Sequence, residues 1–463
     1  MSGPKIFTAR LCEMGERFDP QYHSPLFSQN LRQIRAKTHI TVGECCMLSE
    51  ETWDRVTLFP ETFPYIEIGA ISNDDGEIIA REELLTSEAP SRAQMVIRNG
   101  DILVSMTRPT RNAIARVTDD IGIAIASTGF AVIRSVNSNV VLSDYLFHTL
   151  RLGFSTLQFG QRSSGVNYPA ITKDDLRKIL LPLPPRDVQA RIVAELDAAY
   201  AAKRKADEKA AELLNSIDRV VLNALGIPPI PPPDTSLPAR IFTVSSHDVT
   251  DRSFAPSHYL QKLDFSSARY ECISFRETVS VDPLELVVNA KRPYHLVPMD
   301  AVSAEYGCIE RTEEIPSDDM TGYTTFRNGD VIFAKISPCM ENGKSAVVSV
   351  DIDGVVFGST EFLVFRPNKD MIIADYLHLL LRLRALREYA GRNMSGTTGH
   401  QRVTKSFFWN LKIPVPPISI QKEIVDKVSA IRAEAKILKA SAVAALAVSK
   451  KIIESILMEE NKK

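Results

Sequence analysis

The chain has 463 residues, of which 44% are hydrophobic and 24% are charged, a composition that is ordinary for soluble globular proteins. Its length exceeds what one hydrophobic core usually organises, so two or three domains are expected. Fifty-five basic and fifty-seven acidic side chains leave a net charge of −2, which excludes a polycation that binds nucleic acid over its whole surface.

Export, membrane insertion and metal binding are not indicated by the sequence. The N-terminus lacks an apolar run behind a basic segment, and no stretch approaches the roughly 18 apolar residues that a bilayer span requires. The six cysteines form no CxxC pair and no dense framework, so we expect reduced thiols, a cytoplasmic location and no metal site.

The first half of the chain predicts a strand-rich globe that ends in a core helix. A tight turn at Asn-Gly-Asp 99–101 precedes the β-branched stretch "ILVSM", a pattern of turn and then strand. "SDYLFHTLR" from Ser143 has helical spacing of apolar residues and predicts a core helix. Further strand candidates are Tyr65–Ile71, Ile121–Ser127 and Ala131–Arg134.

A proline-rich hinge, "LPLPPRDVQARIVAEL" at 181–196, follows this globe. Its prolines exclude a helix across the hinge and favour an extended chain. From Ile192 to Ala224 the apolar or small residues step by four and three, with Lys203 as the single break, which predicts a long helix with one coiled-coil seam. Gly226 is expected to end this helix, and residues 227–239 form a proline-rich spacer.

The second half repeats the first at offsets of 229 to 232 positions. "RNGDVIFAKIS" from Arg327 matches "RNGDILVSMTR" from Arg98, and "ADYLHLLLR" from Ala374 matches the core helix. The hinge recurs as "IPVPPISIQKEIVDKV" at 413–428, and Ala346–Val350 and Glu361–Phe365 are strand candidates. We interpret the chain as a tandem duplication of two similar globes related by a pseudo-two-fold axis.

The second hinge also leads into a long helix. Both helices should extend roughly 50 to 60 Å, and a helix of that length with one apolar stripe needs a partner, for which the other copy is the nearest candidate. The predicted seam of the second helix consists of Ile424, Val428, Ile431, Ala435, Leu438, Ala442, Ala445, Ser449, Ile452 and Ile456.

The fold class predicted is therefore α+β, with two similar strand-rich domains joined by a pair of long antiparallel coiled-coil helices. The predicted boundaries are 1–185 for the first globe, 186–226 for the first helix, 227–239 for the linker, 240–417 for the second globe and 418–463 for the second helix.

No catalytic motif accompanies this architecture. Gly343, Lys344 and Ser345 end like a phosphate-binding P-loop, but Pro338 stands where the required earlier glycine would be. "SNDDGE" at 72–77 is better explained as a solvated Asp-Gly turn than as a metal site. We therefore predict that the chain is not an enzyme by itself and binds no cofactor.

Two polar loops in each half are the candidate functional sites. One loop lies between the core helix and the hinge, and the other follows the strand after the Asn-Gly-Asp turn. Forked donors and acceptors can read base edges in a major groove, and cationic side chains at strand ends can position phosphates, although ordinary surface loops are the alternative. The candidates are Arg108, Arg111, Asn112, Arg162, Ser163, Ser164, Asn167 and Tyr168 in the first half, and Lys335, Asn342, Lys344, Arg392, Thr397, His400, Gln401 and Arg402 in the second.

The repeated globe, the "LPLPP…Q" and "IPVPP…Q" hinges, the Asn-Gly-Asp strand starts and the long helices resemble the specificity subunit of type I restriction-modification systems. The resemblance covers essentially the whole chain. It implies two target-recognition domains that each read half of a bipartite site in double-stranded DNA, with half-sites roughly 34 Å apart, and two modification subunits docked on the helices.

The same resemblance implies that the modification subunits carry S-adenosylmethionine and methylate adenine, while a restriction subunit would add ATP- and Mg-dependent translocation and cleavage. Three alternatives remain at this point. The chain could serve a methylation-only complex, act as a non-catalytic structural scaffold, or be an enzyme with an unrecognised site.

Overall fold

The computed structural model describes residues 19–20, 22–55, 57–231, 234, 236, 238, 241–245, 263–283, 294–315, 322–350, 355–397 and 399–458. The chain divides into two compact units. The first unit comprises residues 1–207 and 439–463, and the second comprises residues 208–438. The five-part subdivision drawn from the sequence stays a prediction, and part of its linker, 227–239, lies outside the described residues.

The first unit contains two four-stranded sheets. The strands described in this unit are β1 (His39–Thr41), β2 (Cys46–Leu48), β3 (Thr62–Ile66), β4 (Glu82–Leu85), β5 (Ala93–Ile97), β6 (Ile102–Ser105), β7 (Ile114–Arg116), β8 (Ala124–Ser127), β9 (Phe130–Val136) and β10 (Leu180–Pro182). One sheet has the order β2-β9-β6-β7 with antiparallel neighbours, and the other has the order β4-β3-β8-β5, in which β3 and β8 are parallel.

The second unit repeats this topology strand for strand. The strands described here are β11 (Cys272–Ser274), β12 (Val279–Val281), β13 (Tyr294–Val297), β14 (Glu313–Ile315), β15 (Thr324–Phe326), β16 (Val331–Ala334), β17 (Ser345–Val347), β18 (Val356–Gly358), β19 (Phe362–Pro367) and β20 (Lys412–Pro414). The two sheets have the orders β12-β19-β16-β17 and β14-β13-β18-β15, again with one parallel pair, β13 and β18. The tandem duplication predicted from the sequence is confirmed.

Short helices cover one face of the first of these sheets in each unit. The predicted core helices are present as Ser143–Leu150 and Ala374–Arg382. The other short helices described are Pro25–Arg35, Val42–Cys45, Gly153–Arg162 and Lys173–Arg177 in the first unit, and Phe275–Thr278, Arg384–Arg392 and Lys405–Trp409 in the second.

The strand after each Asn-Gly-Asp turn lies between two hydrophobic layers. In β6, Ile102 and Val104 join the core that contains the helix Ser143–Leu150, while Leu103 joins the core between the two sheets. In β16, Val331 and Phe333 likewise point to the helix layer and Ile332 to the other sheet. Burial on both faces explains why these strands are apolar throughout rather than alternating.

The aspartate of the Asn-Gly-Asp motif holds the turn and pairs with the neighbouring strand. Asp101 Oδ2 accepts a hydrogen bond from Arg98 N at 2.9 Å, and Arg134 Nη2 on β9 lies 2.8 Å from the same oxygen. In the second unit Asp330 and Arg366 repeat both contacts. The motif therefore has a structural role. Gly100 has a φ of +86°, a left-handed conformation that glycine adopts without steric cost, as the tight turn requires.

Each hinge is an extended strand that is latched by the same two side chains. The hinge strands β10 and β20 pair antiparallel with β1 and β11, and the long helices begin directly after the last prolines, at Arg186 and Ile418. The Tyr145 hydroxyl donates to Pro182 O at 2.8 Å, and the Tyr376 hydroxyl donates to Pro414 O at 2.9 Å.

The glutamine at the shared hinge offset explains why the motif recurs. Gln189 accepts a hydrogen bond from Leu142 N at 2.9 Å and donates to the carbonyls of Val140 and Pro184. Gln421 accepts from Ile373 N and donates to the carbonyls of Met371 and Pro416, with all three distances at 2.8 to 2.9 Å. Each glutamine therefore fixes the start of a core helix against the start of a long helix.

The first long helix runs over Arg186–Asn215 and continues, after a break at Ser216, as Ile217–Leu225, where Gly226 ends it in the left-handed conformation as predicted. The second long helix is continuous over Ile418–Met458. The core of the first unit takes Ile192, Leu196 and Tyr200 from the first helix and Leu446, Ile453 and Leu457 from the second.

The core of the second unit includes Val221, Leu222 and Leu225 of the first long helix and Ile424 and Val428 of the second long helix. Each unit thus combines one half of each long helix, with opposite halves in the two units, as the predicted antiparallel pair requires. The predicted α+β class with two strand-rich domains and long helices is confirmed.

One part of the predicted seam is wrong. Ala445, Ile452 and Ile456 are exposed, the two isoleucines by 47% and 56%, whereas the residues one position further along, Leu446, Ile453 and Leu457, are buried. A straight α-helix drifts about 20° per heptad relative to a strict seven-residue repeat, so the buried face moves by one residue beyond Ala442. Within the described ranges, no helix is long and apolar enough to cross a membrane.

Candidate nucleic-acid interface

The structure joins the two candidate loops of the first unit. The loop after β6 and the loop after the helix Gly153–Arg162 are linked by backbone hydrogen bonds from Arg108 N to Pro169 O, at 2.6 Å, and from Ile171 N to Met106 O, at 2.9 Å. Ser164 and Ala170 pair with each other at 2.9 Å in both directions, which closes residues 164–170 into a narrow loop.

The second unit builds the same junction. Ser337 N donates to Gln401 O at 3.0 Å, and Val403 N donates to Lys335 O at 2.9 Å. Ser395 and Arg402 exchange backbone hydrogen bonds, as Ser164 and Ala170 do in the first unit. The two loops that the sequence analysis considered separately therefore form one surface in each unit, on the same backbone frame.

Arg108 organises the first loop pair. Its backbone is left-handed, with φ of +49°, and its guanidinium carbon lies 4.8 Å from the centre of the Tyr168 ring. Its Nη2 donates to Asn167 O at 3.2 Å. Because the cation stacks on the ring and bonds the loop backbone, Arg108 fixes the position of a tyrosine that is 70% exposed.

The candidates of the first unit separate into exposed and supporting residues. Arg111, Ser164, Asn167 and Tyr168 are exposed. Ser163 Oγ donates to Phe159 O at 2.7 Å, and Asn112 Nδ2 donates to Arg151 O at 3.2 Å, so both hold loop ends in place.

Arg162 is largely buried. Its side chain is 12% exposed, with Nη1 4.0 Å from Asp175 Oδ1 and Nη2 donating to Lys178 O at 3.4 Å.

The second unit exposes a different set of side chains on the same frame. Asn342, Thr397, His400 and Gln401 are exposed. Lys344 Nζ donates to Met299 O at 2.9 Å, and the backbone of Lys335 pairs with Glu361 O and with Val403 N. The guanidinium of Arg392 lies 5.8 Å from the ring centre of Tyr389.

Arg402 is held by an acid that the sequence analysis did not identify. Its Nε and Nη2 donate to the Glu361 carboxylate at 2.7 to 3.2 Å, and its Nη1 donates to His400 O at 2.9 Å. The Arg402 guanidinium holds the pKa of the Glu361 carboxyl below its usual value. Arg402 therefore tightens the loop that carries His400 and Gln401.

Sequence reasoning also missed Val166 at the tip of the first loop, which is 98% exposed. Val166 is apolar, whereas the sequence analysis selected polar side chains that can form hydrogen bonds with bases. Glu361 could have been suspected only from its position at the start of a strand, because its partner lies 41 residues away.

In the part of the chain that the structure describes, no group of three or more His, Cys, Asp or Glu side chains could hold a metal ion.

Both loop pairs lie in segments that match one family. The model for the type I restriction modification DNA specificity domain matches residues 40–214 and residues 317–442, which together make up more than half of the chain. The chain belongs to this family. Each matched segment of this specificity domain contains one loop pair and one hinge.

Individual relatives match a shorter part of the chain. The specificity subunit of the Escherichia coli type I restriction enzyme EcoAI is 30% identical over 189 residues, which are 41% of this chain and 32% of that protein. The EcoEI specificity subunit of the same organism is 29% identical over the same shares. The matched segment thus spans about a third of the length of these two relatives.

A solved structure of a type I R-M system contains a chain with the same fold. The two chains are 24% identical with a TM-score of 0.50, and the alignment covers 91% of this chain and 96% of that one.

Proposed function

We propose that this chain recognises a bipartite sequence in double-stranded DNA, with one half-site read by each unit, as the specificity subunit of a type I restriction-modification complex. The observation that carries the proposal is the duplicated loop junction. One backbone frame presents Arg111, Asn167 and Tyr168 in the first unit and Asn342, His400 and Gln401 in the second. A constant frame with different side chains is what two readers of different half-sites require.

The exposed side chains are suited to that task. Asparagine and glutamine can form two hydrogen bonds with adenine, and arginine can form two with guanine. The supporting contacts of Arg108 with Tyr168 and of Arg402 with Glu361 hold the loops before DNA arrives, which lowers the entropy lost on binding.

The proposal gives this chain no catalytic role. Its partners are two modification subunits that bind S-adenosylmethionine and methylate adenine, and in a full system restriction subunits that use ATP and Mg. The purified chain should show no methylation, and addition of its modification subunit should produce adenine methylation at one bipartite sequence. Methylation by the chain alone would overturn the proposal.

The docking surface that we propose for a modification subunit lies on the second long helix. Ala444, Val448, Ile452 and Ile456 follow one another at intervals of four residues on an exposed face, with Val448 58% exposed. Leu446 and Ile453 occupy the opposite face, in the core of the first unit. An apolar stripe that remains open after the helix has buried its own seam fits a partner helix.

A structural scaffold without DNA recognition is the second candidate, and the same stripe favours it. The two functions are separated by footprinting on random DNA with the modification subunit present. Protection of one bipartite sequence supports recognition, whereas docking without any protected sequence supports the scaffold. Methylation without DNA cleavage, in cells that contain all partners, would identify a methylation-only complex.

A further inference from the structure

The second unit contains a cavity whose lining residues lie outside the two candidate loops. This cavity of about 640 Å³ opens between the second long helix, the loop at 306–308 and the Asn-Gly-Asp turn. The long helix contributes Arg432 and Lys436, and the start of the helix Ala374–Arg382 contributes Asp375.

Arg432 has no hydrogen bond or ion pair with the described residues, and its Nε is buried without a partner. Burial lowers the pKa of Arg432, although the nearby Cys308 and Asp375 act in the opposite direction. Arg382, beside it, is already bound to the carbonyls of Gly343 and Ala304. Lys436 likewise forms no ion pair with the residues that the structure describes, so two cations face one carboxylate.

The first unit has a cavity at the equivalent place, but its cations are neutralised. Arg204, which corresponds to Lys436, lies 3.2 Å from Glu77, and Arg116 forms an ion pair with Asp144. Asp197 accepts a hydrogen bond from His148 at 2.8 Å there.

The second unit replaces these acids. By the repeat offset, Ser429 stands where Asp197 is, Cys308 where Glu77 is and Tyr306 where Asp75 is, while Arg432 takes the place of Tyr200. The same framework has therefore lost these three acids, although it keeps Asp375, the counterpart of Asp144. Val347 replaces Arg116, and Arg432 is a cation where the first unit has a tyrosine.

We propose that the second-unit cavity binds a small phosphate-class oxyanion between Arg432 and Lys436. The guanidinium fork matches two oxygens of a phosphate, and the ammonium adds a point charge. The cavity includes Asn328 and Gly329 at the start of β16, whereas the DNA-reading loop begins at Lys335 at its other end. β16 has four residues, so its ends are about 13 Å apart at 3.3 Å per residue, and this separation favours a diffusible phosphate or nucleotide over the DNA backbone.

The test is calorimetric titration of the full chain with inorganic phosphate and, separately, with AMP, against chloride of equal ionic strength. Saturable binding of at least one is expected. Arg432→Gln should weaken it about tenfold or more, and Ser429→Asp, which restores the acid of the first unit, should weaken it without removing a cation. Arg204→Gln, at the first-unit position equivalent to Lys436, is the matched control and should leave the affinity unchanged.

Each result decides the proposal. A preference for AMP over phosphate identifies a nucleotide as the source of the phosphate group, and equal affinity identifies the free anion. Absence of binding by the wild-type chain, an equal loss in the Arg204→Gln control, or retention of affinity in both second-unit variants would refute the site. Displacement of phosphate by duplex DNA that lacks the target would place the cavity on the DNA path and refute the assignment to a small ligand.

Discussion

The hinge glutamine of the second unit should be among the most sensitive residues of the chain. Gln421 is fully buried, and its amide satisfies three backbone groups, the N–H of Ile373 and the carbonyls of Met371 and Pro416. Gln421→Leu keeps the approximate volume but leaves all three groups without a partner. At about 1 to 3 kcal/mol for each buried unsatisfied group, and because single substitutions rarely exceed 4 to 5 kcal/mol, we expect a loss of about 3 to 5 kcal/mol.

The two tryptophans of the chain allow that loss to be measured in one unit. Trp53 belongs to the first unit and Trp409 to the second, so a Trp53→Phe background leaves the fluorescence of Trp409 as a reporter of the second unit during urea unfolding. Gln401→Leu is the matched control, because Gln401 is an exposed loop residue and its loss should cost less than about 0.5 kcal/mol. A loss below about 1 kcal/mol for Gln421→Leu, or equal losses for both variants, would refute the role assigned to the latch.

Three further predictions concern the loops, the ion pairs and the second helix. Asn167→Ala should reduce discrimination against wrong bases at one half-site, and His400→Ala should reduce it at the other, by about 1 to 3 kcal/mol each. Sequencing of methylated adenines measures this change. An equal effect of either variant on both half-sites would contradict the loop assignment. Arg98, followed by Arg134, lowers the pKa of the Glu51 carboxyl from 4.5 to about 2. The contribution of the ionised Glu51 to stability is therefore complete above pH 4.5 and is lost as the pH falls towards 2. Glu51→Gln should flatten the pH dependence of the free energy of unfolding in that window, and an unchanged slope would argue against the ion pair. Ile453→Ala should lower the free energy of unfolding in urea by about 2 to 5 kcal/mol. Ile452→Ala should lower it by less than about 0.5 kcal/mol but weaken binding of the modification subunit. A larger loss of stability for Ile452→Ala than for Ile453→Ala would support the seam predicted from the sequence instead.

Local pattern was enough to predict much of the fold. The Asn-Gly-Asp turn, the apolar strand behind it and the helix from Ser143 depend on neighbouring residues, and the structure has all three in both units. The hinge was recognisable because prolines act on their own backbone. Strand ends were less certain, since Ile68–Ala70 forms a 3₁₀ turn where the strand Tyr65–Ile71 was expected.

The candidate loops show where local reasoning stops. Arg402 and Arg111 are both loop arginines, but Arg402 pairs with Glu361 while Arg111 is exposed. The difference depends on an acid on a strand end far away in the chain. Residue type therefore identified the loops, whereas partners brought in by the fold determined which side chains support a loop and which face outwards.

The sequence by itself determined that this protein is one unit built twice, because a repeated order of turns, strands and hinges is carried by short-range backbone preferences that each copy contains in full. The tertiary structure alone decided between Ile452 and Ile453. Both are isoleucine and neighbours in one helix, so only the surface that packs against that helix could select which of them is buried and which is exposed.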